Sequence, residues 1–398
     1  MNPTPTILLP NLPPKTFIGI DLITFTSTAN FHGIRDLPTG WHFIYSGTTE
    51  ALSLRSGAWF YILGEQEPEI LVWQWDENTE TLAPLRTQQD SLYYKANVGR
   101  AWASGGLFRF RSRVTRGLSR VQAEDQADDE EEEEREGRED WHGLTQWLSP
   151  TVLSRIIGTP THDPDGHPSW RVSSGSSAAR DSDEIPGTEA DTEEVAFSFL
   201  PIDLKRTWRE GAVGRERTEA AQDRSWALGD VIEQAGGGEE HVLGELQFTF
   251  LMALTLLNFS CLQQWKRLLE LVLTSRRAVV EREGLLCAVL RLLLLQLQRC
   301  EDLEGGLFAL DSADEGGAFL RGWLVRVARA VDEVDASAAV RGELQRLAHW
   351  VEEELGWDLR PEGMVRKGLV QLEDGEEVEL EMDGDEDEET GEYAPVVV

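Results

Sequence analysis

The chain has 398 residues, of which 72 are acidic and 37 basic, so its formal net charge is −35. Such an excess of carboxylates opposes binding to duplex nucleic acid, because clustered Lys and Arg are needed to neutralise the phosphates. The length predicts two domains rather than one. Three Cys residues, without CxxC spacing, are typical of a reducing compartment.

Neither the N-terminus nor the internal apolar stretch Leu246–Trp265 predicts insertion into a membrane. The N-terminus lacks a basic region leading into an apolar core, so we expect no signal peptide. The stretch Leu246–Trp265 carries no charged residue, but polar side chains interrupt it. It is therefore predicted to be a buried helix rather than a membrane span.

The N-terminal part, residues 1–120, is predicted to be a β-rich, sandwich-like domain. Short runs rich in β-branched and aromatic residues alternate with turn clusters from Leu12 to Leu63. Further strands are expected at Ile7–Leu9, as an edge strand capped by Pro10, and at Glu69–Trp75, Thr79–Leu85 and Leu107–Phe110. Gln88–Asn97 is predicted to be a short helix.

The middle of the chain divides into three segments by composition. Residues 121–140 are mostly acidic and are predicted to be a solvated insert. Residues 141–157 are predicted to be a helical connector, in which Ser149 caps a helix that begins at Pro150. Residues 158–194 are rich in Ser, Gly, Pro and Asp, and are predicted to be a disordered linker.

Residues 195–366 are predicted to be an α-helical domain of stacked antiparallel helices. Apolar residues recur there at three- and four-residue intervals, in segments that include Glu240–Asn258, Leu262–Leu273, Arg276–Gln298, Gly317–Val334 and Ala338–Leu355. Residues 367–398 form an acidic tail that ends in a strand-like run. The predicted fold class is therefore α+β and multidomain, with a mainly-β sandwich-like domain followed by a helical one.

Signatures of catalysis and cofactor binding are scarce. P-loop, GxSxG and HExxH motifs are absent from the sequence. Asp21 with His32 or His42 offers an acid–base pair, so a β-sandwich hydrolase is an alternative, although a structural His is favoured. The segment His162–His167 has ligand-type residues but lies in the predicted linker. We therefore predict no catalytic, cofactor-binding or metal-binding residues.

Two segments are predicted to matter for regulation or partner binding. Serines in the predicted linker are candidates for phosphorylation; they are Ser173, Ser174, Ser176, Ser177 and Ser182. The end of the chain is suited to adding as a strand to a partner's sheet; its candidate residues are Tyr393, Pro395, Val396, Val397 and Val398.

About fifty residues near the N-terminus carry a family resemblance. They include LPPK at 12–15, GID-Leu at 19–22, FHGIR at 31–35, GWHFI at 40–44 and RSGAWF at 55–60, with Glu245–Phe248 opening a long helical half. In this order they resemble the cistron-splicing factor family, the AAR-two proteins.

The resemblance implies a non-enzymatic assembly factor of the U-five spliceosomal particle, acting in pre-mRNA splicing in cytoplasm and nucleus. Such factors bind the Prp-eight scaffold protein through its RNase-H-like and Jab/MPN-like domains, and hold off RNA and helicase until maturation. We expect no direct contact with nucleic acid or membrane. An acidic adaptor for basic proteins is the remaining alternative, because it needs only the net charge.

Overall fold

The computed structural model describes residues 4–48, 54–64, 69–113, 125–178, 196–300, 317–359, 366–371 and 377–382. The chain forms two compact units that are each discontinuous in sequence. The first comprises Met1–Phe199, Glu239–Lys266 and Leu295–Leu310, and the second comprises Leu200–Gly238, Arg267–Leu294 and Asp311–Val398. The boundaries predicted above were sequential, so residues 195–366 do not form one compact unit.

Two sheets make up most of the first unit. The five-stranded sheet has the order β8-β7-β1-β4-β9, and the six-stranded sheet has the order β10-β11-β6-β5-β2-β3. The strands are β1 Thr6–Leu8, β2 Phe17–Ile20, β3 Ile23–Thr26, β4 Gly33–Arg35, β5 Gly40–Gly47, β6 Arg55–Ile62, β7 Ile70–Asp76, β8 Thr81–Pro84, β9 Leu107–Arg109, β10 Thr161–His162, β11 Pro168–Ser173, β12 Ser177–Ala178 and β13 Ala196–Phe197.

The two sheets share one apolar core. Buried side chains from both sheets, among them Ile7, Ile18, Ile44, Phe60 and Trp73, belong to a single cluster. The rings of Phe60 and Trp73 lie 5.6 Å apart between centroids, so strands of different sheets are in direct contact. Together with the helices of the C-terminal part, this arrangement confirms the predicted α+β class with a β-rich N-terminal part.

The prediction of an edge strand at Ile7–Leu9 was wrong. Strand β1 lies in the middle of its sheet, antiparallel to β4 and parallel to β7. Pro10 follows the strand instead of interrupting it, so the missing N–H does not break the ladder.

The predicted disordered linker was wrong for residues 158–178. Strand β11 pairs with β6, with Trp170 opposite Trp59, and Trp170 is 2% exposed. Composition suggested disorder because Ser, Gly and Asp dominate the segment. The alternation of buried Trp170 and Val172 with exposed Arg171 was the overlooked strand signal. Residues 179–195, with Ser182, lie outside the described part.

Helices occupy the rest of the described chain. They are α1 Gln88–Ala96, α2 Val98–Ala103, α3 Asp125–Thr145, α4 Pro150–Ile157, α5 Arg215–Gln222, α6 Ser225–Gln234, α7 Glu239–Leu256, α8 Phe259–Leu273, α9 Ala278–Glu281, α10 Glu283–Gln298, α11 Ala318–Glu333 and α12 Ala338–Leu355. The strands β14 Arg366–Gln371 and β15 Glu377–Met382 form an antiparallel pair within the tail. No helix in these described ranges is long and apolar enough to cross a bilayer.

Several helix boundaries follow the sequence signals. The Ser149 side chain accepts a hydrogen bond from the backbone N–H of Val152, and Pro150 begins α4, as predicted. The described residues of the acidic insert, 125–140, belong to α3. Its residues 131–136 are mostly exposed, and Arg135 pairs with acids one turn away on either side. The helix is therefore solvated on that face, as its charge predicted.

The apolar stretch Leu246–Trp265 spans two helices, in agreement with the predicted helical segments Glu240–Asn258 and Leu262–Leu273. The break falls at Leu257, whose φ is 56°, and at Asn258, which is 1% exposed. The Asn258 amide donates hydrogen bonds to the carbonyl oxygens of Ser173, Ser174 and Ser176. The polar residue at this position in the apolar stretch is therefore buried, and it hydrogen-bonds to the backbone of a distant segment.

Buried polar side chains tie α7 to the first unit. Glu245 and Gln247 are both 0% exposed. Glu245 accepts hydrogen bonds from Arg155 at 2.6 Å and Gln264 at 2.8 Å. The Gln247 amide accepts from the Trp147 N–H and donates to the Gly143 carbonyl. This network explains why Glu239–Lys266 belongs with the β-rich part of the chain.

A substitution at Gly19 tests the packing of the six-stranded sheet. Gly19 pairs with Tyr45 of β5, and an ideal Cβ at Gly19 would lie 2.0 Å from the Tyr45 ring carbon Cζ. Because the buried ring must move, we expect G19A to lower the free energy of unfolding by about 1–3 kcal/mol in urea denaturation. The control G99A meets no atom within 4 Å and should not destabilise the protein.

A second substitution tests the polar network. We expect E245A to cost about 2–4 kcal/mol in the same assay, because Arg155 and the Gln264 amide lose a buried acceptor. The control E240Q removes an exposed carboxylate from the same helix and should change stability by less than about 0.5 kcal/mol. Equal effects of the two substitutions would contradict a structural role for Glu245.

Candidate functional site

Asp21 and His42 form a buried pair at the start of the six-stranded sheet. Asp21 occupies the turn between β2 and β3 with a φ of 55°, a conformation that Asp adopts more readily than most residues. Its Oδ2 lies 2.8 Å from Nδ1 of His42, and its Oδ1 accepts from the Phe43 N–H. The side chains are 5% and 1% exposed. The predicted pairing of Asp21 with His42 is therefore confirmed.

The ring nitrogens of His42 are both engaged. Nε2 lies 2.8 Å from the carbonyl oxygen of Pro38, so the imidazolium form satisfies both acceptors by donating to each. Burial favours the neutral ring, but the charge of Asp21 and these hydrogen bonds outweigh it and raise the pKa of His42. A general base needs a nitrogen lone pair that faces the substrate. This ring offers none, so the geometry argues against the hydrolase alternative.

His32 does not share this environment. It is exposed, and its ring lies against Gly106, where an ideal Cβ would approach His32 Cδ2 to 2.5 Å. Its side chain therefore packs over a glycine. Of the two histidines considered, it is His42 that pairs with Asp21.

A cavity of about 210 Å³ lies beside the buried pair. Its walls include Trp41, Phe110 and Trp141, and the exposed side chains of Arg138 and His142 also line it. The indole N–H groups are used within the fold, since Trp141 donates to the Trp41 carbonyl and Trp41 to that of Leu148. Sequence reasoning missed Arg138 and His142. Their spacing of four residues was the available signal, because it places both on one helix face.

The segment His162–His167 is a fixed loop between β10 and β11. Ligand-type atoms of Asp163, Asp165 and His167 lie within 4.8 Å of one another. Asp163 accepts from the N–H groups of Asp165 and His167 and from the His167 ring at 2.9 Å. Lys95 lies 2.7 Å from Asp165. The segment is therefore held in a defined conformation, unlike the disordered linker in which it was predicted to lie. The carboxylates of Asp163 and Asp165 have hydrogen-bond and ion-pair partners within the protein, and these contacts explain why the acidic groups and His167 lie close together.

Ionisation in that loop follows the hydrogen bonds. The bond to Asp163 raises the pKa of His167 despite partial burial. Partial burial would raise the pKa of Asp163, but the bonds from His167 lower it. Both shifts favour the ion pair, which is consistent with a loop closed by its own side chains.

Four of the five predicted phosphorylation sites lie in or next to the turn between β11 and β12. Ser173 ends β11, and Ser176 is 2% exposed and accepts from the Ser173 N–H. Ser174 accepts from the N–H of Arg55, and Ser177 begins β12. These four serines are not in a flexible linker, which was the premise of the prediction. The predicted partner-binding residues Tyr393, Pro395, Val396, Val397 and Val398 lie outside the described residues.

Comparison with known families gives matches over most of the chain. A model of the AAR2 N-terminal domain matches residues 3–158, and a model of the AAR2 C-terminal repeat region matches residues 199–360. The chain belongs to the AAR2 (AAR-two) family. The resemblance seen in the sequence is thereby confirmed.

Proteins named Protein AAR2 homolog are similar over long stretches. The Mus musculus protein is 25% identical over 315 residues, which is 73% of this chain and 75% of the relative. The Caenorhabditis elegans protein is 22% identical over 312 residues, covering 74% and 78%. The Homo sapiens protein is 35% identical over a shorter region of 105 residues, or 26% of this chain and 27% of the relative.

The residues that carried the AAR2 resemblance have structural roles. Gly19 accommodates the Tyr45 ring, and Asp21 and His42 form the buried pair. Glu245 and Gln247 anchor α7. These five residues are buried, so this part of the family motif reports the fold, whereas Lys15 and His32 of the motif are exposed.

The Asp21–His42 pair makes stability depend on pH. The pKa of His42 is higher in the folded protein than its value of about 6.5 in the unfolded chain. Its stabilisation is therefore fully present below about pH 6.5 and is lost as pH rises through the folded pKa. At high pH, an unprotonated Nε2 would face the Pro38 carbonyl.

The substitution D21N keeps the volume and tolerates the positive φ, but it removes the charge. We expect the wild type to be more stable than D21N by about 1–3 kcal/mol near pH 6, with a gap that narrows towards pH 9 in urea unfolding. His167 is common to both proteins, so its titration cancels. A gap that stays constant or widens with pH would contradict the assignment.

Proposed function

We propose that the protein is a non-enzymatic assembly factor of the U-five spliceosomal particle that binds the Prp-eight scaffold protein. The observation that carries the proposal is membership in the AAR2 family over most of the chain, which supports a splicing-related role. The scaffold's RNase-H-like and Jab/MPN-like domains are the proposed contacts. Binding would hold off RNA and helicase until maturation, in cytoplasm and nucleus.

Two physical features agree with a binding protein. The net charge of −35 suits a protein that covers basic, RNA-binding surfaces of a partner without contacting RNA itself. The most catalysis-like pair, Asp21 and His42, is buried with its hydrogen-bonding groups occupied. Strand addition by Tyr393–Val398 to a partner sheet belongs to the same proposal.

The net charge also favours a second candidate, a general acidic adaptor for basic proteins. The two functions differ in the origin of affinity. An adaptor held by charge loses binding steeply with salt, whereas an interface with an apolar centre retains much of it. Salt dependence therefore separates them.

Co-elution with the scaffold tests the proposal. The purified protein should elute with a Prp-eight fragment spanning the RNase-H-like and Jab/MPN-like domains at micromolar concentration, and should weaken that fragment's RNA binding. The complex should persist at 0.5 M salt, since the Debye length there is only about 4 Å. Failure to co-elute would overturn the proposal, and co-elution lost at moderate salt, with equal binding to histones, would favour the adaptor.

Deletion of Tyr393–Val398 tests the strand-addition step separately. We expect weaker scaffold binding with unchanged thermal stability, because the deletion removes contacts to the partner alone. Unchanged affinity would remove strand addition from the proposal and leave the rest standing.

A further inference from the structure

Apolar exposure in the second unit is concentrated on one face. In the described part of that unit, the exposed large hydrophobic residues are Val213, Trp226 and Val280, at 68%, 40% and 59% exposure. Two of these three residues line adjoining grooves. Trp226 lines two of the grooves and Val280 lines a third. We call this face, built from residues 201–234 and 276–281, the tryptophan face.

The grooves are continuous with one another. The first, of about 230 Å³, and the second, of about 490 Å³, share Trp208 and Trp226 as walls. The second and the third, of about 440 Å³, share Glu219, Asp223 and Arg277. A concentration of exposed apolar side chains along continuous grooves is typical of an interaction surface, and Trp is enriched among residues that dominate binding.

Charge differs along the tryptophan face. In the second and third grooves, Arg209 pairs with Glu216 at 2.9 Å and Arg277 with Asp223 at 3.1 Å, and the lining acids exceed the lining bases by one in each groove. The first groove is lined by the carboxylates of Asp203, Glu210 and Asp230 and, among the described residues, by the single base Arg206. The first groove is therefore negative, with two indoles in its walls.

Two indoles and an excess of carboxylates favour a cationic side chain. Arg stacks its planar guanidinium on an indole and donates to carboxylates at the same time. An arginine of the protein itself already lies over one of these indoles, since the Arg217 guanidinium is 5.5 Å from the Trp208 ring centroid while its Nε donates to the Ala212 carbonyl. Asp230 stands one helical turn after Trp226 on α6, so a guanidinium over that indole would have a carboxylate within reach.

We propose that the tryptophan face binds a basic peptide segment of a partner protein, with an arginine of the segment in the groove between Trp208 and Trp226. An apolar residue of the segment would cover Val280 in the third groove. The inference deepens the proposed function and rests on it only in requiring that the partner is a protein.

The probe is a short fluorescein-labelled peptide in which three arginines alternate with leucines, with relatives carrying Gln or Glu in place of Arg. Fluorescence anisotropy against the full-length protein gives the affinities. We expect the Arg peptide to bind at least tenfold more tightly than the Gln peptide, and the Glu peptide not to bind. Equal binding of the Arg and Gln peptides would overturn the proposal.

Variants locate the site. We expect W226A to weaken binding of the Arg peptide at least tenfold and W226F to restore part of it, since a phenyl ring is a poorer platform. The double variant E210Q/D230N should remove most of the preference for Arg over Gln. Matched controls L92A and E77Q/E80Q change exposed residues of the first unit and should stay within twofold of wild type.

Circular dichroism confirms that each variant is folded, and W226F keeps the test decisive if W226A unfolds. Wild-type affinity in both W226F and E210Q/D230N would overturn the proposal. A wild-type dimer that W226A converts to a monomer, without peptide binding, would instead assign the face to a second copy of the chain. Scaffold co-elution is scored independently, so peptide binding without co-elution overturns only the proposed function, and co-elution with equal binding of the Arg and Gln peptides overturns only this inference.

Discussion

The first unit depends on the carboxylate of Glu245. This group is completely buried, and an isolated ionised carboxylate at such a position is strongly unfavourable. Arg155 and Gln264 donate to it, and they come from segments far apart in the sequence. The charge therefore requires α4, α7 and α8 to meet in one arrangement. A polar network of this kind adds little net stability, but it penalises every packing that leaves a donor or acceptor unpaired.

This requirement explains why the two compact units are discontinuous in sequence, whereas the predicted boundaries were sequential. Hydrophobic periodicity correctly indicated helices near 239–256 and 259–273, and it also placed the strands of residues 12–63 and the helix at 88–96. Periodicity describes the face that a helix buries, without indicating what covers it. The information that assigns α7 to the β-rich unit lies in Glu245 and Gln247, whose partners are about a hundred residues earlier. Such pairings are invisible to any local pattern.

The same reasoning applies to the two segments that composition misjudged. Residues 158–178 contain enough Ser, Gly and Asp to resemble a linker, yet Trp170 inserts into the sheet and Asp163 closes its own loop. Asn258 is one of the polar residues that interrupt an apolar stretch, and its amide donates hydrogen bonds to carbonyl oxygens of the serine turn. In each case the contacts of one side chain decide the local structure, although the composition of the surrounding segment suggests a different one.

Function was accessible from the sequence only through the family motif, and many residues of that motif, such as Asp21 and His42, are buried. Surfaces used for binding leave a weaker trace, because an exposed Trp such as Trp226 is indistinguishable in sequence from a core Trp such as Trp265, which is 0% exposed. The structure separates them. The structure also shows how charge is distributed over the tryptophan face. Arg209 and Arg277 pair with acids, whereas the groove lined by Asp203, Glu210 and Asp230 is negative beside two indoles. Long-range attraction from the whole protein would bring many basic partners close, since such fields act over a Debye length. Only a partner whose cation fits between aromatic walls would then gain from desolvation, so selectivity resides in the groove rather than in the total charge.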